Sequence, residues 1–226
     1  MRKIQRLAGI GVMAAATLAL AACGGTAAPA SSPAASAPAA APATAAPAAT
    51  NTGVTTNADV FGPACSQLPQ GDAPGSLNNM GPQPVATAAS TNPLLTTLVT
   101  AVKAVPGLPD TLNNTQGITV FAPYNGAFDA VQKQIGAPAF QGLLKDTNKL
   151  GGLLSYHVVG QRYDAKGLVA AGQTTELAGG TLTIGGTADA PTITDGQGNT
   201  AKVLCGNIPT SNATVFVIDR VLMPKS

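Results

Sequence analysis

The segment ATVFVIDRVLMPKS, residues 213–226, has the clearest structural pattern in this chain. Its first six residues carry no charge. In an extended conformation Val215 and Val217 point to one side. Phe216 and Ile218 point to the other side, which is apolar as well. A segment that is apolar on both faces is typical of a strand covered on both sides, so we predict a buried strand here.

A second stretch, TVFAPYNGAF at residues 119–128, begins with the same Thr-Val-Phe triplet. Residues 117–121 have the composition of a strand, and Ala122-Pro123 ends it. We predict that the two Thr-Val-Phe strands are neighbours in one core. Asn125 is expected to cap the helix that follows.

The rest of the chain divides into a helical half and a half with strands. Apolar residues at helical spacing predict successive helices between residues 92 and 168, the first beginning at Asn92-Pro93. Residues 71–81 are predicted to be a loop. From residue 174 the apolar period becomes two, and the Gly179-Gly180 and Asp195-Gly196 pairs predict hairpin turns. The sequence therefore predicts an α+β domain with one core.

The N-terminus has the features of an export signal. Arg2, Lys3 and Arg6 precede an apolar, uncharged run at residues 7–20, and two alanines follow. This predicts a signal peptide over residues 1–22. The following Cys23 gives Leu-Ala-Ala-Cys, which resembles the lipobox of bacterial lipoproteins. The alternative is an ordinary cleavage site with an accidental cysteine.

The cysteine count is consistent with lipidation of Cys23. The chain has three cysteines, and an odd number in an exported chain needs an explanation. If Cys23 carries lipid, with palmitate among its acyl chains, Cys65 and Cys205 remain to form one disulfide in an oxidising compartment. The alternative is two buried free thiols.

Residues 23–60 are expected to form a disordered linker, and residues 61–226 the folded domain. The linker is dominated by Ala, Pro and Thr, and its prolines recur too often for a helix. Such a segment buries too little apolar area to offset the entropy lost on ordering. With the predicted lipid, it would tether the domain to a membrane.

Charge and composition argue against several function classes. The net charge of +2 includes three basic residues of the predicted signal peptide. Without them the chain has nine basic and ten acidic residues, so the net charge of the mature protein is about −1. The chain has no tryptophan, so nucleic acid is not an expected partner. A single histidine, His157, and no cluster with metal-ligand spacing predict a protein without catalysis, metal or cofactor. Residues 195–199 resemble a calcium loop only faintly and fit a hairpin turn better.

Three ordered motifs resemble the fasciclin (FAS1) domain. Residues 119–128 resemble its first characteristic stretch and residues 213–224 its second, and Tyr156-His157 lies between them. The resemblance covers roughly residues 85–226; Tyr124 departs from it, since the family usually has Thr or Ser there. It implies one domain of helices packed on a small mixed β-sheet or wedge.

Further features resemble the mycobacterial surface and secreted fasciclin antigens, in particular their lipid-modified member. These are the lipobox, a Gly-Pro-Ala-Cys motif ending at Cys65, and Cys205-Gly206. The resemblance implies a monomeric surface protein with one disulfide.

Two pairs of residues have competing interpretations. In animal members of the family the Tyr-His region is implicated in integrin binding, so Tyr156 and His157 are candidate binding residues. The alternative, which we favour, is a buried structural pair at a helix end. Asp219-Arg220 is interpreted either as an ion pair that aligns the last strand with its neighbours or as a functional pair, and the structural interpretation is favoured because an isolated pair is more often structural.

The sequence predicts an adhesion or protein-interaction module, anchored by lipid on the outer side of the cell membrane or shed from it. Its partner would be a host, matrix or cell-envelope protein. The alternative is an envelope lipoprotein that binds a small ligand in a groove beside the helices. An apolar cavity of a few hundred Å³ would favour the carrier, whereas a solid core with an exposed apolar patch would favour the adhesin.

Overall fold

The computed structural model describes residues 53–225. The helices are α1 Leu77–Met80, α2 Val85–Thr91, α3 Thr96–Ala104, α4 Leu108–Asn114, α5 Asn125–Ile135, α6 Ala137–Lys145, α7 Thr147–Ser155 and α8 Ala165–Ala171. The strands are β1 Ile118–Pro123, β2 Val158–Val159, β3 Gln173–Thr175, β4 Thr181–Thr187, β5 Ala190–Thr194, β6 Thr200–Pro209 and β7 Ala213–Ile218. Short 3₁₀ turns cover Asn57–Asp59, Cys65–Gln67 and Pro93–Leu95. The predicted α+β class is confirmed.

All seven strands form one mixed sheet in the order β2-β1-β7-β6-β5-β4-β3. Strands β1 and β7 run parallel, from Ile118 opposite Ala213 to Pro123 opposite Ile218. The two Thr-Val-Phe strands are therefore neighbours, as predicted. Strand β7 also pairs with β6 on its other edge, and its six residues are all buried.

The two ends of the sheet meet, so the sheet is nearly a barrel. Val159 of β2 forms an antiparallel bridge with Glu176, just after β3. The backbone N–H of Leu177 also donates to the carbonyl oxygen of Val158, at 2.8 Å. The sequence predicted the hairpins, but it did not predict this contact between the outer strands.

Alternation along β7 separates two apolar clusters. Phe216 and Ile218 point into the barrel and contact its inner side chains, with the Phe121 and Phe216 ring centroids 6.0 Å apart. Val215 and Val217 point outward to the helices. Because β7 is needed by both clusters, it tolerates no charge on either face, as the sequence shows.

The folded part begins upstream of the predicted boundary at residue 61. The hydroxyl of Thr214 donates to the carbonyl oxygen of Gly53 at 2.6 Å, and Thr55 is buried. Residues 53–60 therefore pack on the domain as a strap, although their small, polar composition resembles the linker. The predicted loop at residues 71–81 likewise contains the short helix α1.

The predicted signal peptide, the lipidation at Cys23 and the linker up to residue 52 lie outside the described residues. Within residues 53–225, no single helix has the length and hydropathy to cross a membrane. One bent pair, Val85–Thr91 with Pro93–Ala104, meets these criteria only when its two helices, at 99° to each other, are counted together.

Asn125 caps a different helix from the predicted one. Tyr124 occupies the N-cap of α5, and Asn125 is the first residue of that helix. The Asn125 side-chain oxygen accepts from the backbone N–H of Thr97 at 3.0 Å, and the side-chain amide donates to the carbonyl oxygen of Pro93 at 3.0 Å. The prediction was wrong because this cap is formed between helices that are distant in sequence.

Replacing Asn125 with Ala is expected to lower the free energy of unfolding by about 1 kcal/mol, because α3 loses its N-terminal cap. Urea unfolding at neutral pH would measure the change. Asn114→Ala, at an exposed position at the end of α4, is the matched control and should change stability little. Equal losses in both variants would contradict the assignment of Asn125 as a cap.

Candidate functional site

Tyr156 and His157 follow directly after helix α7, and the helix holds them in the interior of the domain. Asp146 is the N-cap of this helix, and its carboxylate accepts from the backbone N–H of Lys149 at 3.1 Å. Leu150 and Leu154 anchor its inner face in the outer apolar cluster. The side chains of Tyr156 and His157 follow directly and are 2% and 3% exposed.

Both ring nitrogens of His157 have backbone partners. Nδ1 lies 2.8 Å from the carbonyl oxygen of Leu153, and Nε2 accepts from the backbone N–H of Leu222 at 2.9 Å. These partners assign the proton to Nδ1 in a neutral ring. Burial lowers the pKa of His157 from 6.5 to about 4. The neutral ring of His157 thus connects the end of α7 to the C-terminal segment by two hydrogen bonds.

Tyr156 is held in the same region by its hydroxyl group. The hydroxyl oxygen accepts from the backbone N–H of Gly196 at 2.7 Å. Burial raises the pKa of Tyr156, and the neighbouring carboxylates of Asp195 and Glu176 raise it further. The phenol therefore stays protonated at neutral pH, which does not suit it to act as a base.

Asp195 also binds the C-terminal segment through a hydrogen bond. Its carboxylate accepts from the backbone N–H groups of Gln197 at 3.0 Å and Asn199 at 2.8 Å, which makes the predicted hairpin turn. The other carboxylate oxygen accepts from the N–H of Met223 at 2.9 Å. His157 and Asp195 therefore bind adjacent backbone amides, those of Leu222 and Met223.

The partners of the Tyr-His pair were not identified from the sequence. Glu176 is buried and accepts from the backbone N–H groups of Ala178 and Gly180, so it stabilises the turn between β3 and β4. Its position three residues before the Gly179-Gly180 pair is the one signal that the sequence offered for this role. Within residues 53–225, no group of three or more His, Cys, Asp or Glu side chains could hold a metal ion.

A disulfide joins Cys65 to Cys205, as the cysteine count predicts, with an S–S distance of 2.01 Å. Cys205 lies in β6, and Cys65 begins the 3₁₀ turn that follows the strap. Backbone bonds reinforce the link: the N–H of Gly206 donates to the carbonyl oxygen of Phe61 at 2.8 Å. The N-terminal part of the domain is thus attached to the centre of the sheet.

Asp219 does not pair with Arg220. Its carboxylate accepts from the backbone N–H of Lys202 at 2.8 Å, so it aligns β6 and β7 through the main chain, and Arg220 is exposed. In the described part of the chain the single ion pair joins Lys149 to Asp146, at 3.2 Å. The predicted ion pair is therefore wrong, although the predicted alignment of the last strand is present.

An apolar groove with a volume of about 60 Å³ lies between α2, α3 and α4. Its floor reaches Phe121 of β1 and His157. Its walls carry half-buried side chains, and Lys103 lies at its rim. The half-buried apolar residues are Ala86, Ala89, Val99, Val102 and Pro109. A cavity of this size holds a few heavy atoms, since an apolar cavity that binds benzene has a volume of about 150 Å³.

The sequence of residues 93–224 matches the family model of the fasciclin domain. The chain belongs to the fasciclin family. The match contains both Thr-Val-Phe strands and the Tyr-His pair between them, so the resemblance inferred from those motifs is confirmed.

Relatives of this fasciclin domain include two mycobacterial proteins. It is 41% identical over 175 residues to the cell surface glycolipoprotein MPB83 of Mycobacterium bovis. The alignment covers 74% of this chain and 73% of the relative. It is 38% identical over 177 residues to the immunogenic protein MPB70 of Mycobacterium bovis. This alignment covers 74% of this chain and 83% of the relative.

Among solved structures, this fasciclin domain is similar to a FAS1 domain pair from the insect cell adhesion molecule Fasciclin I. The TM-score is 0.54 at 18% sequence identity, and the match covers 62% of this chain. It spans 51% of the insect chain. At this identity the likeness establishes the fold alone.

Proposed function

We propose that this fasciclin protein is displayed outside the cell on a lipid anchor and binds a protein partner without catalytic turnover. The observation that carries the proposal is its relation to a cell surface glycolipoprotein at 41% identity. The predicted signal peptide and the lipobox at Cys23 agree with such a location. A diacylated cysteine would supply two chains, enough for stable anchoring where one is marginal.

The geometry of the Tyr-His pair favours binding over catalysis. A general base needs a nitrogen that can reach a substrate, yet both nitrogens of His157 are bonded to backbone groups. The ring is also 3% exposed. The pair therefore supports a rigid surface and is not itself the contact.

We assign the partner contact to the groove between α2, α3 and α4. Small-molecule sites usually have volumes of about 300–1,000 Å³, so a cavity of about 60 Å³ does not favour a ligand carrier. It suits the end of one apolar side chain from a partner, surrounded by the half-buried residues of the walls. Such an anchor in a shallow apolar pocket is typical of energetically dominant interface contacts.

Substituting Val99 by Glu is expected to weaken partner binding at least about tenfold, because it places a charge on the wall of this groove. Pull-down of the purified protein with host and envelope surface fractions, quantified by mass spectrometry, would measure the change. The matched control is Leu177→Glu, at a 50% exposed apolar position in the turn between β3 and β4. Full binding by Val99→Glu at an unchanged melting temperature would contradict the assignment.

The anchor has a separate test. Wild-type protein is expected to incorporate labelled palmitate and to sediment with membranes, whereas Cys23→Ser should lose the label and appear in the medium. Arg220→Gln, at an exposed position, keeps the lipobox and the disulfide and should keep the label. Label retained by Cys23→Ser would refute lipidation at this residue while leaving the binding proposal intact.

A further inference from the structure

A cleft lies between α5 and the segment that follows β7. It has a volume of about 320 Å³, within the range of about 300–1,000 Å³ that is usual for small-molecule sites. Helix α5 forms one wall, and residues 219–223 together with the turn between β5 and β6 form the other. The cleft shares no lining residue with the apolar groove between α2, α3 and α4. It is therefore a second concave site, with a chemistry of its own.

The apolar part of the cleft is already in place in the folded protein. Ala127 and Val131 of α5 and Val221 after β7 line it and are buried, and Met223 is half-buried. Ile135, at the C-terminal end of α5, also lines the cleft and is 41% exposed. It is one of three large apolar side chains that are exposed among residues 53–225. An aliphatic group bound in the cleft would cover Ile135 and remove apolar surface from water.

Two side chains of opposite charge line the same cleft, and the described chain neutralises neither of them. One oxygen of Asp219, Oδ1, accepts from the backbone N–H of Lys202 at 2.8 Å. The other, Oδ2, has no partner within residues 53–225 and is accessible to solvent. Arg220 is exposed and takes part in no ion pair in that part of the chain. Because no other described residue that lines the cleft is charged, it offers one anionic and one cationic group and has no net charge.

The rim of the cleft carries three amide side chains, those of Gln134, Gln197 and Asn199. The Gln197 amide donates to the carbonyl oxygen of Pro224 at 3.2 Å, and the Asn199 amide donates to Asp195 at 3.3 Å. These bonds hold the two side chains at the turn and leave their oxygens as acceptors. No aromatic side chain is among the described residues that line the cleft, so it offers no surface for stacking a sugar ring or a nucleobase.

We propose that this cleft binds a small aliphatic zwitterion, either a free α-amino acid or a short peptide. The carboxylate of the ligand pairs with Arg220, its ammonium group donates to the second oxygen of Asp219, and its side chain covers the apolar wall at Ile135. Guanidinium and carboxylate side chains bind ions of opposite charge through charge-assisted hydrogen bonds. A ligand with a single charge would leave one of the two residues unpaired, whereas a zwitterion pairs both.

This site goes beyond the proposed function and does not rest on it. The groove between α2, α3 and α4 is too small for a ligand carrier, whereas the cleft at α5 has both the volume and the convergent polar groups of a small-ligand site. Since the two sites share no residue, the protein can bind a partner at one and a ligand at the other.

The site is tested by titrating ¹⁵N-labelled Cys23→Ser protein with L-leucine and with L-alanyl-L-alanine. Saturable shifts of the backbone N–H signals of Val131, Gln197 and Asn199 are expected, and the tighter of the two compounds identifies the form of the ligand. N-acetylation removes the ammonium group of that compound, and amidation removes its carboxylate. Each capped form should bind at least about tenfold more weakly. Because Cys23→Ser protein cannot be lipidated at this position, failure of the proposed anchor does not affect the titration.

Arg220→Gln and Asp219→Asn should each weaken binding of the tighter compound about tenfold. Asparagine at position 219 keeps an oxygen that can accept from the N–H of Lys202, so the alignment of β6 with β7 is preserved. Lys166→Gln and Asp189→Asn are the matched controls, since each removes one exposed charge outside the cleft and should leave binding unchanged. The site is overturned if neither compound gives saturable shifts, if the capped forms bind as tightly as the parent compound, or if Asp219→Asn binds like the wild type.

Discussion

A chain carrying Cys65→Ala and Cys205→Ala is expected to lose up to about 5 kcal/mol of its free energy of unfolding. The disulfide joins residues separated by 140 positions. In the chain-entropy model, a loop of that length confers about 5 kcal/mol by restricting the unfolded chain. Residual structure in the unfolded state makes this an upper value. With a typical domain stability of about 5–15 kcal/mol, the loss is a large share of the total.

Urea unfolding with and without dithiothreitol would measure this effect. The reductant should destabilise the wild type and leave the double variant unchanged. The backbone bonds between Phe61 and Gly206 remain in both proteins, so the folded structure itself should change little. A loss below about 1 kcal/mol would contradict the view that this link stabilises the domain mainly through the unfolded chain.

Acidification from pH 6.5 to pH 4 is expected to remove roughly 3 kcal/mol of stability through His157 alone. The pKa of this residue is 6.5 in the unfolded chain and about 4 in the folded one. Between these values the unfolded chain binds a proton that the folded protein excludes, so unfolding becomes easier as the pH falls. The stability due to the neutral ring is fully present above pH 6.5 and is lost as the pH falls to about 4.

Between pH 6.5 and pH 4 the effect of His157 on stability can be separated from that of two surface carboxylates. A hydrogen bond from the hydroxyl of Thr56 lowers the pKa of Asp59, and the backbone N–H of Lys149 lowers that of Asp146. Their contributions are present above their ordinary value of 3.8 and fall away only below it. Chemical unfolding at a series of pH values would therefore report mainly on the histidine.

His157→Gln is the matched variant for this measurement. Glutamine offers a donor and an acceptor but does not titrate, so its stability should be lower at neutral pH and nearly flat from pH 6.5 to 4. A wild-type curve as flat as that of the variant would mean that the ring is protonated, or solvated, in the folded protein.

The sequence was sufficient where the signal is local or periodic. Alternation along Val215 to Ile218 predicted a strand covered on both faces, and each face indeed packs in a different cluster. The Asn92-Pro93 pair predicted a helix start, and the Asn92 side chain does accept from the backbone N–H of Leu94 at 3.0 Å. The buried structural role favoured for His157 also followed from its apolar neighbours.

The remaining features depend on residues that are distant in the chain. Asn125 looks like a cap for its own helix, because the backbone N–H of Thr97 becomes its partner only after folding. Nothing near Arg162 in the sequence indicates that its guanidinium group donates to Thr210 and Thr214, because these acceptors lie about 50 residues later in the chain. The strap at residues 53–60 has the composition of the linker, and only its contact with Thr214 distinguishes it.

The parallel pairing of β1 with β7 has a consequence for the order of events during biosynthesis. Ile118 finds its partner Ala213 only after about 95 further residues have been made. Contacts so far apart in sequence slow folding, because a long loop must close before they form. The pairing of β1 with β7 would therefore complete only after β7 has been made, which would suit the export that we propose for this protein. Any truncation before residue 213 would leave β1 and β6 without the strand that pairs with both of them.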